Sequence, residues 1–468
     1  MSPSSAFASF AVVALVGTQL LAACGSSPRA DKPVDPWQAL TPARDDNPAA
    51  DVVEIQLEAA EATKVYAGAT ATKVWAYNGT VPGPLIDVKV GDKLIVHFKN
   101  SLPEPTTIHW HGVRVPAPMD GTPAMQAPIA PGGTFDYAFT LRDAGLFWFH
   151  PHIRGDVQVH KGLYGVIRVR GANEPVVDRE GVLVLDDVTV MPDGTLSEYL
   201  DDASKMLGRQ GKTLLVNGMA MPKLAVQSGS LVRLRIVNVA NGRFFNLALA
   251  GHVWRVIGTD GGFLPKPYDT EHLLIAPGER YDVILVPSGA PGTEITLMDD
   301  PYERGHDTGK DPPLPVATFR ITNQPPLTSR ALPNSFPDLE RLPGGAVDHP
   351  VVLDEGIVNG EMTFTMNGAS FPNVPPLDIP LGAVRRILLD NRSEMDHPFH
   401  IHGVFFQLLA KGGVQFPADA LANKDTVIVP MKTTLEVVAR FDAPGSWMYH
   451  CHILEHAEGG MMGVIEVK

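Results

Sequence analysis

Ten of the sixteen histidines in this chain stand in four short clusters. They are His109-Trp110-His111-Gly112, His150-Pro151-His152, His397-Pro398-Phe399-His400-Ile401-His402, and His450-Cys451-His452 followed by His456 and Met461. Every cluster contains His-X-His. In an extended chain residues two apart point to one face, so each cluster presents two imidazoles to the same side. One such pair reads equally well as an edge strand with two solvated rings. Four pairs do not, because burying eight imidazoles without ligand bonds would leave many ring nitrogens unsatisfied. Metal binding accounts for them.

Ligand chemistry narrows the metal. The last cluster offers a thiolate from Cys451, an imidazole from His456 and a thioether from Met461, and His397 adds a second imidazole. Two histidines, one cysteine and a weak axial methionine form the blue-copper set, which suits electron transfer. Zinc has no need of the thioether, and a single cysteine beyond Cys24 excludes a four-cysteine zinc or iron–sulfur site. Because Cys451 lies between His450 and His452, its sulfur points to the opposite side of a strand from both rings. One strand therefore joins two different metal sites.

Elements able to position these groups follow from an internal repeat. An Asn-Gly pair, a glycine opening an apolar run and an Asn nine residues later recur as Asn78-Gly79, Gly91, Asn100; Asn217-Gly218, Gly229, Asn238; and Asn367-Gly368, Gly382, Asn391. Val232, Leu234 and Ile236 alternate with Arg233 and Arg235, the signature of a strand with one buried face. Leu146 to Phe149, Val166 to Val169 and Tyr281 to Leu285 also read as strands, and Leu196 to Met206 as a short helix. With 44 glycines and 42 prolines, the composition favours short strands and turns. Three related β-rich units are expected, each a two-sheet sandwich or barrel, over residues 51–172, 173–326 and 348–468. A proline-rich linker at 327–347 separates the last two. All four histidine clusters fall in the outer units, and the middle one contributes none.

The chain has 468 residues and a net charge of −14, which repels phosphate backbones and excludes a nucleic-acid partner. Residues 6–23 form an uncharged apolar run ending at Cys24, which reads as an export signal at 1–23 before a flexible segment at 24–50. The stretch Leu21-Ala22-Ala23-Cys24 resembles the bacterial lipobox, implying a periplasmic or membrane-anchored lipoprotein acylated at Cys24. No Lys or Arg precedes the run, so an uncleaved anchor and an ordinary cleavable signal stay open.

Taken together, His-X-His-Gly, His-X-His, His-Pro-X-His-X-His and His-Cys-His-X₃-His-X₄-Met resemble, in order and spacing, the three-domain multicopper oxidases, the group of laccases and cuprous oxidases. The resemblance spans roughly residues 55–468. It implies an all-β fold of three consecutive cupredoxin-like Greek-key β-sandwich domains and four copper ions. A type 1 copper would be held by His397, Cys451, His456 and Met461, and a type 2 copper by His109 and His400. The type 3 pair would be held by His111, His150 and His452 on one ion and by His152, His402 and His450 on the other. The middle unit would be a spacer bringing the outer two together. The implied reaction is four one-electron oxidations of a phenol, aromatic amine or metal ion, coupled through Cys451 to reduction of O2 to water in a monomeric enzyme. The alternative is a copper-tolerance protein with an electron-transfer or cuprous-oxidase role.

For the protons, the resemblance points to Asp120, whose other reading is a solvated loop carboxylate. Relatives often carry a second acid where this chain has Ala457, and Glu455 and Glu458 are the neighbouring substitutes. No methionine occurs between Met298 and Met362, which argues against a methionine-rich cuprous-oxidase insert. Met395 has the spacing of a substrate-copper ligand, but Ser393 replaces the accompanying acid and a polar surface loop is the favoured reading.

Overall fold

The three Asn-Gly pairs fold into the same two-residue hairpin turn. Asn78, Asn217 and Asn367 have φ of 50°, 53° and 53°, and the glycines that follow have 73°, 70° and 75°. Two successive positive φ values make a turn whose twist matches that of the flanking strands. The asparagines closing each repeat also share one role. Asn100, Asn238 and Asn391 are buried, donate to two carbonyls each, and accept from the backbone N–H two residues on. The repeat is thus carried by hydrogen bonding as well as spacing.

The computed structural model describes residue 1 and residues 35–66, 71–197, 201–328, 330–358 and 361–468. The apolar run at 6–23 and Cys24 lie outside the described residues. No helix among the described residues is long and apolar enough to cross a membrane. The fold is almost entirely β. Among the described residues each third of the chain contributes two sheets, of four and four, seven and five, and six and five strands. Every sheet contains one parallel pair among antiparallel ones, including Val52–Lys64 beside Lys93–Asn100, Arg179–Val188 beside Val232–Asn238 and Val347–Val358 beside Ala383–Asn391. Of the short helix expected over Leu196 to Met206, the structure has Asp202–Leu207, begun by the Asp201 carboxylate accepting from the Ser204 N–H, whereas Leu196 forms a β-bridge with Val190 and residues 198–200 lie outside the described residues.

Each third closes its own apolar core. A further cluster lies between the first and second, where Leu146, Trp148 and Val166 meet Val182, Val184 and Val237. Strand Gly145–His150 therefore buries both faces, with Phe147 and Phe149 turned into the first core. The same holds for Val232–Asn238. Arg233 and Arg235 were expected on a solvent face, yet both are 1% exposed. Arg233 is paired with Asp282, and Arg235 with Glu180 and Glu174. Alternation of charge and apolarity marked the two faces correctly but could not show that carboxylates cover the second. Beyond the middle sheets, the proline-rich segment stacks Phe336 on Phe263 at 4.2 Å and presents the Leu342 N–H to Gln407.

One exposed cluster makes stability depend on pH. On the outer sheet of the first third, His97 donates through Nε2 to Glu54 at 2.7 Å and through Nδ1 to Asp136 at 2.8 Å. Two donating ring nitrogens require the imidazolium. Hydrogen bonds to Glu54 and then Asp136 raise the His97 pKa, while those from His97 and then Asn47 lower that of Glu54. The His97 contribution is complete below its unfolded value and fades as pH rises through the folded one. The Glu54 contribution is complete above its unfolded value and fades as pH falls through the folded one. Thermal midpoints of the native chain and His97→Gln should differ most between the ordinary values of 4.5 and 6.5. The difference is small because the groups are exposed. Parallel pH profiles for the two proteins would remove the cluster from the account.

Candidate metal centres

Strand register gathers the histidines. His109 faces His150 across one ladder, and His400 faces His450 across another. Alternation sends Trp110 into the first core and turns His109 and His111 the other way. Rings from the first and last thirds then interleave. His109 stacks on His402 and His111 on His400, each at 3.8 Å between centroids. Potential ligand atoms come together in three all-histidine groups, namely His109, His111 and His400; His111, His150 and His452; and His152, His402 and His450. The atoms of each group lie within 4.8 Å of one another.

The outward hydrogen bonds determine which nitrogen of each ring carries the proton. Nδ1–H of His109, His150 and His400 donates to the carbonyls of Asp120, Pro151 and Asp425 at 3.0, 2.9 and 2.8 Å. Their Nε2 lone pairs are left buried and unpartnered. His111 donates from Nε2 to Asp425 at 3.1 Å, leaving Nδ1 unpartnered, and His452 has no partner on either nitrogen. His402 donates from Nδ1 to Asp120 at 2.9 Å, and His450 from Nδ1 to the Cys451 carbonyl at 2.8 Å. Their Nε2 atoms nevertheless lie 3.1 Å apart. Two facing lone pairs repel, and adding a proton is opposed by burial and then by neighbouring imidazoles, which push both pKa values well down. A cation between the rings resolves the conflict, so the residues fit a metal cluster.

On the other face of strand Gly445–Cys451, the Cys451 sulfur lies 3.5 Å from His397 Nδ1 and 3.6 Å from His456 Nδ1. Both rings are again set from behind, since His397 Nε2–H donates to Ser393 Oγ at 2.8 Å and His456 Nε2–H to the Met206 carbonyl at 3.0 Å. Two imidazole lone pairs thus converge on a thiol whose pKa burial pushes well up. Met461 is fully buried in the same core. A soft metal ion replacing the thiol proton fits this donor set.

Asp120 is not a solvated loop acid, being 0% exposed. Its side chain accepts from His402 and its carbonyl from His109. Glu458 is exposed and accepts from the Gly155 N–H at 2.7 Å, on the side of its helix toward the first third. Glu455 is buried, accepts from Asn241, and leaves one oxygen unpartnered. The favoured reading of Met395 as part of a surface loop is corrected. Met395, Ser393 and Asp396 are 0%, 1% and 2% exposed because residues 302–308 of the middle third cover them.

The middle third is also more than a spacer. Its Arg280 makes a two-pronged ion pair with Asp425, at 2.6 and 2.5 Å, and donates to the Leu146 carbonyl at 3.0 Å. All three thirds therefore meet at the carboxylate that orients His111. Burial would raise the Asp425 pKa, but Arg280 and the hydrogen bonds outweigh it and hold the carboxyl well below its usual range. Sequence spacing gave no hint of Asp425 or Arg280, because neither belongs to a local motif. Gly278 packs as closely. A Cβ there would come within 2.9 Å of the His452 ring and 3.1 Å of the His111 ring, at a φ of +87°. Gly278→Ala should therefore lower metal content in the histidine cluster while sparing the Cys451 site, as metal analysis and visible absorption would show. Full occupancy of both would refute the packing argument.

The multicopper oxidase family matches residues 58–174, 180–303 and 347–468. The chain is 32% identical to the multicopper oxidase MmcO of Mycobacterium tuberculosis, over 94% of this chain and 92% of that one. It superposes on a multicopper oxidase from Campylobacter jejuni described as a metallo-oxidase, with a TM-score of 0.81 and 30% identity, over 92% of this chain and 94% of that one. A laccase from Pediococcus acidilactici superposes with a TM-score of 0.79 and 27% identity, over 92% of each chain.

Proposed function

We propose the following roles for the residues of this chain, which belongs to the multicopper oxidase family and is a copper-dependent oxidoreductase that uses O2 and a reducing substrate. Four ions complete the donor sets. His397, Cys451, His456 and Met461 would hold the type 1 copper, and His109 and His400 the type 2 copper. His111, His150 and His452, with His152, His402 and His450, would hold the type 3 pair. When bound, copper supplies one-electron acceptance from a small donor at the first site and four-electron reduction of O2 to water at the cluster.

The observation that carries this reading is the pair of facing Nε2 lone pairs on His402 and His450, 3.1 Å apart and tied back through Nδ1. The chain's own groups have separable tasks. Cys451 and its peptide neighbours form the covalent connection between the two donor sets. Asp120 orients His402 and is the proposed proton donor, and Glu458 is the proposed second acid. Asp425, held by Arg280, orients His111. Interleaved rings from the outer thirds close the cluster against bulk water, all being buried except the partly exposed His152. Phenols and metal ions are both kept as donors. Export, lipidation at Cys24 and a monomeric state complete the proposal and rest on the sequence.

The test is oxygen consumption by copper-loaded protein with an artificial one-electron donor. His152→Ala should keep a blue chromophore that donors bleach, while O2 restores its colour far more slowly than in the native protein. Normal oxygen turnover by this variant would sink the proposed cluster.

A further inference from the structure

We infer that Arg304, contributed by the middle third, is a positioning residue that raises the reduction potential of the Cys451 site. This rests on reading that site as a redox copper centre. Arg304 bridges the segments that carry its two imidazoles. Its carbonyl accepts from the N–H of Asp396, the residue before His397, at 2.8 Å. Its Nη2 donates at 2.7 Å to the carbonyl of Leu207, the residue after Met206, whose own carbonyl accepts from His456. One residue thus spans, by its carbonyl and its side chain, from the backbone beside one ligand to the backbone beside the support of the other.

The charge it brings is buried and only partly offset, by the carboxylates of Asp396 and Asp311. Arg304 is 2% exposed, its Nη1 has no partner, and its guanidinium lies 4.9 Å from the Phe244 ring centroid. The adjacent carboxylate, Asp396, is occupied by the Tyr302 hydroxyl and the Met431 N–H. Burial and then Arg243 pull the Arg304 pKa down to about 10, which leaves it cationic at neutral pH. The loop presenting it is tightly seated. Thr308 Oγ1 accepts from the Arg304 N–H at 3.0 Å, and a Cβ on Gly305 would come within 2.8 Å of Met395.

Reduction adds one electron to the site and lowers its net positive charge by one, so a fixed neighbouring cation favours the reduced form. Arg304→Gln should keep the blue band and shift the equilibrium with a one-electron redox partner about tenfold toward the oxidised site, a fall of about 59 mV. Arg304→Lys, which keeps the charge, should restore most of that shift. Thr308→Val loosens the loop without removing the cation and should shift the potential the same way by a smaller factor, which decides the matter if the Gln variant does not fold. Unchanged potentials in the folded variants, with the band intact, overturn this inference alone. A merely structural role would lower the melting temperature and leave the potential where it was. A copper-loaded native chain with no band dependent on Cys451 overturns the reading of the site and this inference with it.

Discussion

Cys451→Ser should fold, retain copper in its histidine cluster, and be colourless, with donor-driven oxygen uptake at the level of copper-free protein. The sulfur is fully buried, lies within 3.6 Å of both His397 and His456 Nδ1, and accepts the Ile453 N–H at 3.5 Å. Serine fits the same space, so the core around Phe399, Ile401 and Met461 has no reason to collapse. What is lost is the soft thiolate, the ligand that produces the blue chromophore and makes the site an electron-transfer centre. The histidine cluster takes its ligand atoms from the opposite face of the strand and needs nothing from the sulfur. Metal analysis and visible absorption check the two sites separately. A blue serine variant would show the assignment of Cys451, and with it His397, His456 and Met461, to be mistaken.

The variant also tests how much the order of residues alone can convey. His-Cys-His announces a divided strand, because alternation is local and survives into any sheet, and the fold keeps it. The Asn-Gly turns and buried asparagines are local too, which is why three repeats could be read before any sheet was known. Asp425, Arg280 and Arg304 escaped for the opposite reason. Each meets its partner across a contact between thirds of the chain, and the sequence separation of 145 residues between Arg280 and Asp425 carries no pattern. Arg233 and Arg235 misled in the same way, since their carboxylate partners lie far away in sequence, Asp282 49 residues from Arg233 and Glu180 55 residues from Arg235. Ligands close together in sequence are legible, whereas the groups that orient and charge them depend on packing between domains.

Asp120→Asn is expected to leave copper content and blue colour intact while turnover falls by about 10²–10⁴-fold, the usual contribution of a well-placed acid. Reduction of O2 to two waters consumes four protons, and burial, with neighbouring imidazoles, opposes the charged form of His150, His152, His402, His450 and His452, so these rings are poor stores of an extra proton. Two carboxylates reach the histidine cluster, and Asp425 is committed to its ion pair with Arg280, which leaves Asp120. Oδ2 accepts from His402, and Oδ1, 3.3 Å from His109 Nδ1, is buried without a hydrogen bond. An asparagine oxygen can still accept from His402, so the ring keeps its tautomer. The amide cannot release or take up a proton, and its NH2 offers His109 no acceptor. Reduction of the Cys451 site by donor should be nearly unchanged, because none of its ligands touches Asp120. If turnover stays normal across the working pH range, Asp120 only orients His402. If copper is lost, its carboxylate charge is needed to assemble the cluster, and the protons must come by another route, with Glu458 the first group to replace.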